Sequence, residues 1–203
     1  PENRYHNNIA VDELPDFLDV GKAAYAALEQ TGLQMLQAIA LFLELDANYF
    51  NNKVEQGNSI LRAIHYPPIT SEPKNAVRAA QHEDINLITL LMGASADGLQ
   101  ILNRQQEWVA VTAIENQLVV NVGDMLQRLT NNRLRSTTHR VVNPPREKWN
   151  TSRYSIPFFL HPRSEMDLTC LEDCVTEENP IQYESITAGG YLDERLREIG
   201  LKK

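Results

Sequence analysis

Residues 81–91 read QHEDINLITLL, a polar start running into a stretch rich in Ile and Leu. An apolar run bounded by polar residues predicts a strand, and in a strand alternate side chains share a face. His82 and Asp84, two apart, then leave one face together while Glu83 points the other way, which sets an imidazole beside a carboxylate. A second imidazole would complete the two-histidine, one-carboxylate set that leaves three adjacent positions open on Fe(II). His139, in the strand-like RSTTHRVV of residues 135–142, is the candidate. Several predicted strands separate it from His82, so the two are expected to face each other across a folded-over sandwich.

Outward from this segment the chain keeps the same character. Strands are predicted near 60–66, 78–84, 86–92, 98–102, 107–112, 117–122, 135–142, 153–160 and 166–171, separated by Pro, Gly and Asn clusters. A short helix over Asp124–Asn131 interrupts them, and a last helix follows Gly189–Gly190 through Leu192, Leu196 and Ile199. Before them, apolar residues from Phe17 to Leu43 recur at spacings of three and four, predicting one long amphipathic helix over Pro15–Leu45, or two broken near Gly32. Strands without regular helical alternation predict an antiparallel sandwich or barrel, mainly β with flanking helices, and the apolar face of the long N-terminal helix must cover something.

The strand TSRYSIPFFLHP carries Arg153 and Ser155 two apart, again on one face. A guanidinium binds a carboxylate bidentately and a neighbouring hydroxyl can add a third hydrogen bond. An inward-facing arginine needs an anion, either a ligand or a buried Asp or Glu. Phe159 continues that face, lining a substrate cavity or packing in the core.

The order HxD, 54 residues (85–138), His139, then RxS on the next strand resembles the iron(II) and 2-oxoglutarate-dependent dioxygenases, in particular the isopenicillin N synthase-like branch. LRAIHYPP, GLQILNRQQEWVAV and VVNVGDMLQRLTNNRLRSTTHRVV carry the likeness between Ser59 and Pro162. The resemblance implies a double-stranded β-helix, or jelly roll, with the long N-terminal helix packed on the sheet, in which His82, Asp84 and His139 ligate iron, Arg153 with Ser155 holds the distal carboxylate of 2-oxoglutarate, and Tyr66 also reaches the co-substrate. Ile64 stands where plant-type members often have Asn, and the segment between His139 and Arg153 is longer than usual. The activity implied is oxidation of a small organic substrate (hydroxylation, desaturation or ring closure) with O2, releasing succinate and CO2. Other readings are an oxidase of the same branch that dispenses with 2-oxoglutarate, a zinc hydrolase on the same ligands, and a silent jelly-roll binding protein. Relatives carry further elements ahead of the long helix, which implies that an N-terminal region is missing here. The expected division is a helical segment over 1–58, the core over 59–175 and a C-terminal helix over 176–203.

Composition agrees. The 203 residues suit one domain, and 19 basic against 27 acidic residues give a formal charge of −8, which disfavours a phosphate backbone or an anionic bilayer as partner. No stretch approaches the roughly 20 apolar residues of a membrane span. Cys170 and Cys174 read as reduced thiols, fitting a cytoplasmic setting. His6 and His161 are expected to be surface or loop groups, His65 a satisfied polar residue on the face opposite Tyr66, and Arg62 either ion-paired or at the substrate. The acidic cluster Glu172, Asp173, Glu177, Glu178 reads as a solvated loop, because it lacks the ligand alternation of a calcium loop.

Overall fold

The computed structural model describes residues 8–112 and 114–202, so His6 lies outside the described residues. In chain order it contains α1 (Phe17–Phe42), α2 (Asn51–Val54), β1 (Ile60–Leu61), β2 (Ile64–Tyr66), β3 (Ala79–His82), β4 (Ile88–Met92), β5 (Leu99–Leu102), β6 (Trp108–Ala110), β7 (Leu118–Val122), α3 (Asp124–Leu129), β8 (His139–Val141), β9 (Arg153–Leu160) and α4 (Ala188–Glu198). Two antiparallel sheets form among the described residues, one ordered β1-β9-β4-β7 with β2 also on β9, the other β3-β8-β5-β6. Successive stretches of chain thus pass between the two sheets, the wrapping expected of a jelly roll.

β9 is the spine of the larger sheet. β1 and β2 share one register along it, with Ile60 opposite Phe159 and Ile64 opposite Ser155. The predicted strand over 60–66 is therefore one extended run, broken opposite Pro157, which has no N–H to give to a ladder. Register also sorts the faces. Thr89 pairs with Phe159 and with Asn121, and Tyr66 pairs with Arg153, so these side chains share the face turned toward the smaller sheet. Ile88, Leu90, Phe158 and Leu160 occupy the opposite face and are at most 1% exposed.

α1 covers that opposite face in a single piece. It is not broken at Gly32: a Cβ there would stand 2.3 Å from Leu160 Cδ1, so the glycine lets the helix approach the sheet closely. Tyr25 of α1 packs edge-on against Phe158, with ring centroids 5.1 Å apart. The hydrophobic core, which includes Leu28, Leu36, Ala40, Leu90, Leu126, Leu129, Phe158 and Leu160, lies on this helix side of the larger sheet.

Three sequence expectations are corrected. Residues 166–171 form no strand. Met166, Leu168 and Cys170 are buried in alternation, yet the segment finds no sheet edge beyond a single bridge from Asp167 to Thr187. The predicted helix over 124–131 stops at Leu129, with Asn131 and Asn132 turning into the left-handed region at φ 47° and 69°. α4 begins at Ala188, ahead of the glycine pair, where the Thr187 side chain accepts from Gly190 N at 3.2 Å. Among the described residues no helix is long and apolar enough to cross a membrane.

Candidate metal centre

β3 ends at His82, which stands directly opposite His139 of β8. The two imidazoles are thus cross-strand neighbours within one sheet, ring centroids 4.3 Å apart, and do not meet across the sandwich as the sequence suggests. The chain between them makes the excursion through β4 to β7 and α3, and β8 returns to lie beside β3.

Asp84 comes from the irregular turn after β3, not from the strand itself. The N-terminal amides of α3 hold that turn: Asp124 N donates to Asp84 O (2.8 Å), Met125 N to Asn86 O (3.0 Å) and Gly123 N to Leu87 O (3.0 Å). Gly123 is required at this junction, because a Cβ would meet Asn86 O at 2.5 Å and Asp84 O at 2.8 Å.

Each polar group has one atom committed and one turned to the centre. His82 Nδ1 donates to Ala80 O (2.7 Å) and His139 Nδ1 to Thr137 O (2.8 Å). A carbonyl only accepts, so Nδ1 carries a proton and Nε2 is the ring nitrogen left for a cation in the neutral form of each imidazole. Asp84 Oδ2 accepts from Thr89 Oγ1 (2.6 Å) and from Asn121 Nδ2 (3.0 Å). Thr89 Oγ1 in turn accepts from Asn86 Nδ2 at 2.8 Å. Asp84 Oδ1 faces His139 Nε2 at 3.7 Å and His82 Nε2 at 4.0 Å. The three side chains bring one donor atom each within 4.8 Å of one another, the only such grouping of three metal-donor side chains among the described residues. Side-chain exposures of 47% for His82, 14% for His139 and 5% for Asp84 leave the approach open on the His82 side. Two imidazole nitrogens and one carboxylate oxygen on one side of a cation are a donor set suited to Fe(II) with open positions.

Behind this turn the Asp124 carboxyl is pushed up to about 6, mainly by burial and further by Glu83, against hydrogen bonds from Ser136 and Tyr191.

The second cluster lies on β9 and β2. Arg153 is 1% exposed; its Nε donates to Ala96 O at 3.1 Å, and its Nη1 is buried without a partner. No carboxylate among the described residues pairs with it, so the reading of Arg153 as one half of a buried ion pair is set aside. Burial, more than any other influence, pulls its pKa down. Ser155, 6% exposed, is two positions along on the same face, and the guanidinium carbon sits 5.2 Å from the Tyr66 ring centre. An unpaired buried guanidinium is costly unless an anion arrives. Beside it opens a cavity of about 900 Å³ whose walls include Leu91, Gly98, Leu99, Lys148 and Arg153. Phe159, half-buried, continues the Arg153 face toward Thr89.

His161 is corrected from a surface group to a buried one, 8% exposed. Its backbone is clasped by Ser59, whose Oγ accepts from His161 N (3.1 Å) and donates to His161 O (3.4 Å). Its Nδ1 has no partner, and burial lowers its pKa to about 4 against an upward pull from Asp84. His65 is exposed on the face opposite Tyr66, stacked on Tyr154 at 4.8 Å and bonded to Ser152 Oγ at 3.0 Å. Arg62 is exposed and has no ion pair among the described residues. Glu172, Asp173, Glu177 and Glu178 are not buried, and both cysteines are buried free thiols. Sequence reasoning missed Thr89, Asn121, Asn86 and Gly123. Polar residues at inward positions of otherwise apolar strands were the available signal for the first two.

The profile of the 2OG-Fe(II) oxygenase superfamily matches residues 57–162. The chain belongs to this superfamily. The 2OG-Fe(II) oxygenases it resembles include a solved family protein from Caulobacter crescentus, 47% identical, with a TM-score of 0.89 over 98% of this chain and 64% of that one. A full-length Neurospora crassa protein, solved in complex with alpha-KG, is 35% identical with a TM-score of 0.86 over 97% of this chain and 63% of that one. A 2-oxoglutarate-Fe(II) type oxidoreductase of Metarhizium majus, ppzC, is 32% identical over 94% of this chain and 52% of its own length. The chain thus spans about half the length of the curated relatives it matches.

Proposed function

We propose that this chain forms the catalytic core of an Fe(II)- and 2-oxoglutarate-dependent dioxygenase that oxidises a small organic molecule and releases succinate and CO2. One observation carries the proposal: three donor atoms converge within 4.8 Å while the other polar atom of each side chain is already committed. His82, Asp84 and His139 hold the metal in this reading, and Arg153, Ser155 and Tyr66 hold the distal carboxylate of 2-oxoglutarate. Bound Fe(II) would supply O2 activation coupled to oxidative decarboxylation of the keto acid.

The protein's own contribution is geometric and electrostatic. The Ala80 and Thr137 carbonyls fix the tautomer and tilt of the two imidazoles, and Thr89 with Asn121 holds Asp84 to one-point attachment through Oδ1. Arg153 draws the keto acid to one end of the barrel, which leaves the open His82 side for the substrate, with Phe159 as an apolar wall. The pair of Arg153 and Ser155 on one inward face has no use in a zinc hydrolase.

The neighbours' ligands and names differ: the Neurospora crassa protein is also solved with thymine, and buaE of Petromyces alliaceus is named a proline hydroxylase. A small-molecule substrate is what these share, and the charge of −8 favours it over nucleic acid. The two buried free thiols support a reducing, cytoplasmic setting. The test is anaerobic titration of the protein with Fe(II) and 2-oxoglutarate, followed by an oxygen pulse. A weak visible charge-transfer band and succinate formation that depends on 2-oxoglutarate are expected. Absence of the band, or hydrolytic activity with zinc alone, refutes the proposal, and turnover without the keto acid points to the oxidase reading.

A further inference from the structure

Arg153 does not hold its end of the barrel alone. Arg78, just ahead of β3, places its guanidinium carbon 5.9 Å from the Tyr66 ring centre, and Arg153 places its own 5.2 Å from the same ring. Each guanidinium keeps one buried nitrogen without a hydrogen-bond partner, Nε in Arg78 and Nη1 in Arg153. Each is also tied to a backbone carbonyl: Arg78 Nη2 donates to Thr151 O and Arg153 Nε to Ala96 O, both at 3.1 Å. No carboxylate among the described residues pairs with either. Burial, the largest influence, pulls the pKa of both down against an upward pull from Tyr66, and Arg78 adds to the downward pull on Arg153. Arginine keeps its proton under such pressure, so two like charges flank the Tyr66 ring, and no carboxylate among the described residues offsets them. An arrangement of that kind is stabilised by an incoming anion, and more so by one whose negative end reaches both charges.

We propose that Arg78 is a second cationic determinant of the co-substrate pocket: a positioning residue that holds Tyr66 against Arg153 and sets the preference for a keto acid with a second carboxylate. The proposal rests on the function assigned above. The bond from Arg78 to Thr151 O joins the start of β3 to the segment leading into β9 and gives the guanidinium a fixed anchor at one nitrogen. A bland role is available in the same bond, since Arg78 could serve only as a brace on the Thr151 carbonyl. The two roles separate by charge. A brace acts on any occupant, whereas a charge determinant acts only on an occupant that carries the distal carboxylate.

The experiment is anaerobic calorimetry on the Fe(II)-loaded chain with 2-oxoglutarate and with 2-oxopentanoate, which ends in a methyl group where 2-oxoglutarate has its carboxylate. Arg78→Gln keeps an amide donor for Thr151 O and removes the charge, and Arg78→Lys restores the charge. The glutamine variant is expected to bind 2-oxoglutarate about tenfold more weakly and 2-oxopentanoate within about twofold of wild type, with the lysine variant recovering most of the loss. Equal weakening for both acids, or no weakening for either, overturns the proposal while leaving the assigned function intact. Failure of the wild-type chain to bind 2-oxoglutarate overturns both.

Discussion

Thr89→Val tests whether the carboxylate of the candidate metal centre is held by its neighbours or merely stands beside them. Valine nearly matches threonine in shape, so the change removes one hydroxyl from a site that is 4% exposed without opening a cavity. Two bonds go with it: the donation to Asp84 Oδ2 at 2.6 Å and the acceptance from Asn86 Nδ2 at 2.8 Å. The first is a short bond to a charged acceptor, with a net value of about 2 kcal/mol. The second leaves the amide of Asn86, a fully buried residue, without its acceptor, a further cost of about 1 to 2 kcal/mol. Urea unfolding of the metal-free protein should therefore show a loss of about 3 kcal/mol. Asp84 keeps only the Asn121 amide on Oδ2, so its carboxylate gains rotational freedom, and metal affinity should fall by roughly 10- to 100-fold in a direct titration. Thr89→Ser keeps the hydroxyl and should recover metal affinity even where the missing methyl costs stability. A valine variant with unchanged metal affinity would show that Asp84 is set by its backbone alone, and the reasoning about Oδ2 would be refuted.

Gly123→Ala pushes a methyl against two backbone oxygens of the Asp84 turn, which no rotamer can relieve; a loss of about 1 to 3 kcal/mol with weakened metal binding is expected, and wild-type values in both measurements would contradict it. Arg153→Lys keeps a positive charge but loses the fork that meets Ala96 O and a ligand together, so 2-oxoglutarate binding should drop by roughly 100-fold while metal binding is retained, as read by paired calorimetric titrations. His161 is buried with its pKa lowered from 6.5 to about 4, so the unfolded chain takes up this proton first as pH falls. Its contribution is full above about 6.5, is lost progressively toward about 4 and is level below, a span of about 3 kcal/mol. Urea midpoints across that range should show the slope in wild type and a flatter profile in His161→Gln, and parallel profiles would sink the assignment.

Much of the site is local enough to read from the chain. HxD, RxS and the Tyr66 position depend on short spacings, and β9, the longest strand among the described residues, is legible to its ends at Arg153 and Leu160, with burial alternating over its first five residues. What stays hidden depends on pairing between distant segments. The direct opposition of His82 and His139 is a register fact, set by which strand returns beside which, and no local pattern encodes it. The burial of His161 follows from a clasp with Ser59, 102 residues away, and a histidine beside a proline otherwise looks like a loop group. The strand expected over 166–171 shows the converse: alternation of buried residues is real, but a strand also needs a free edge to pair with.

The division of the larger sheet into two unlike faces explains how a barrel can carry charge inside and still be stable. Its helix-facing side holds Ile88, Leu90, Phe158 and Leu160 against α1, so apolar burial, the main stabilising term, is supplied there. The inward face is thereby released from core duty and can hold Arg153, Ser155, Thr89 and Asn121. α3 joins the two sides. Met125, Leu126 and Leu129 anchor it in the core at 1% exposure or less, while the amides at its N-terminal end, from Gly123 to Met125, grip the backbone of Asp84, Asn86 and Leu87. The position of the carboxylate is therefore set by a helix whose own position is set by packing. Substitutions that loosen the core around Leu126 should reach Asp84 of the candidate metal centre through α3 before they reach the histidines, whose strands pair with each other.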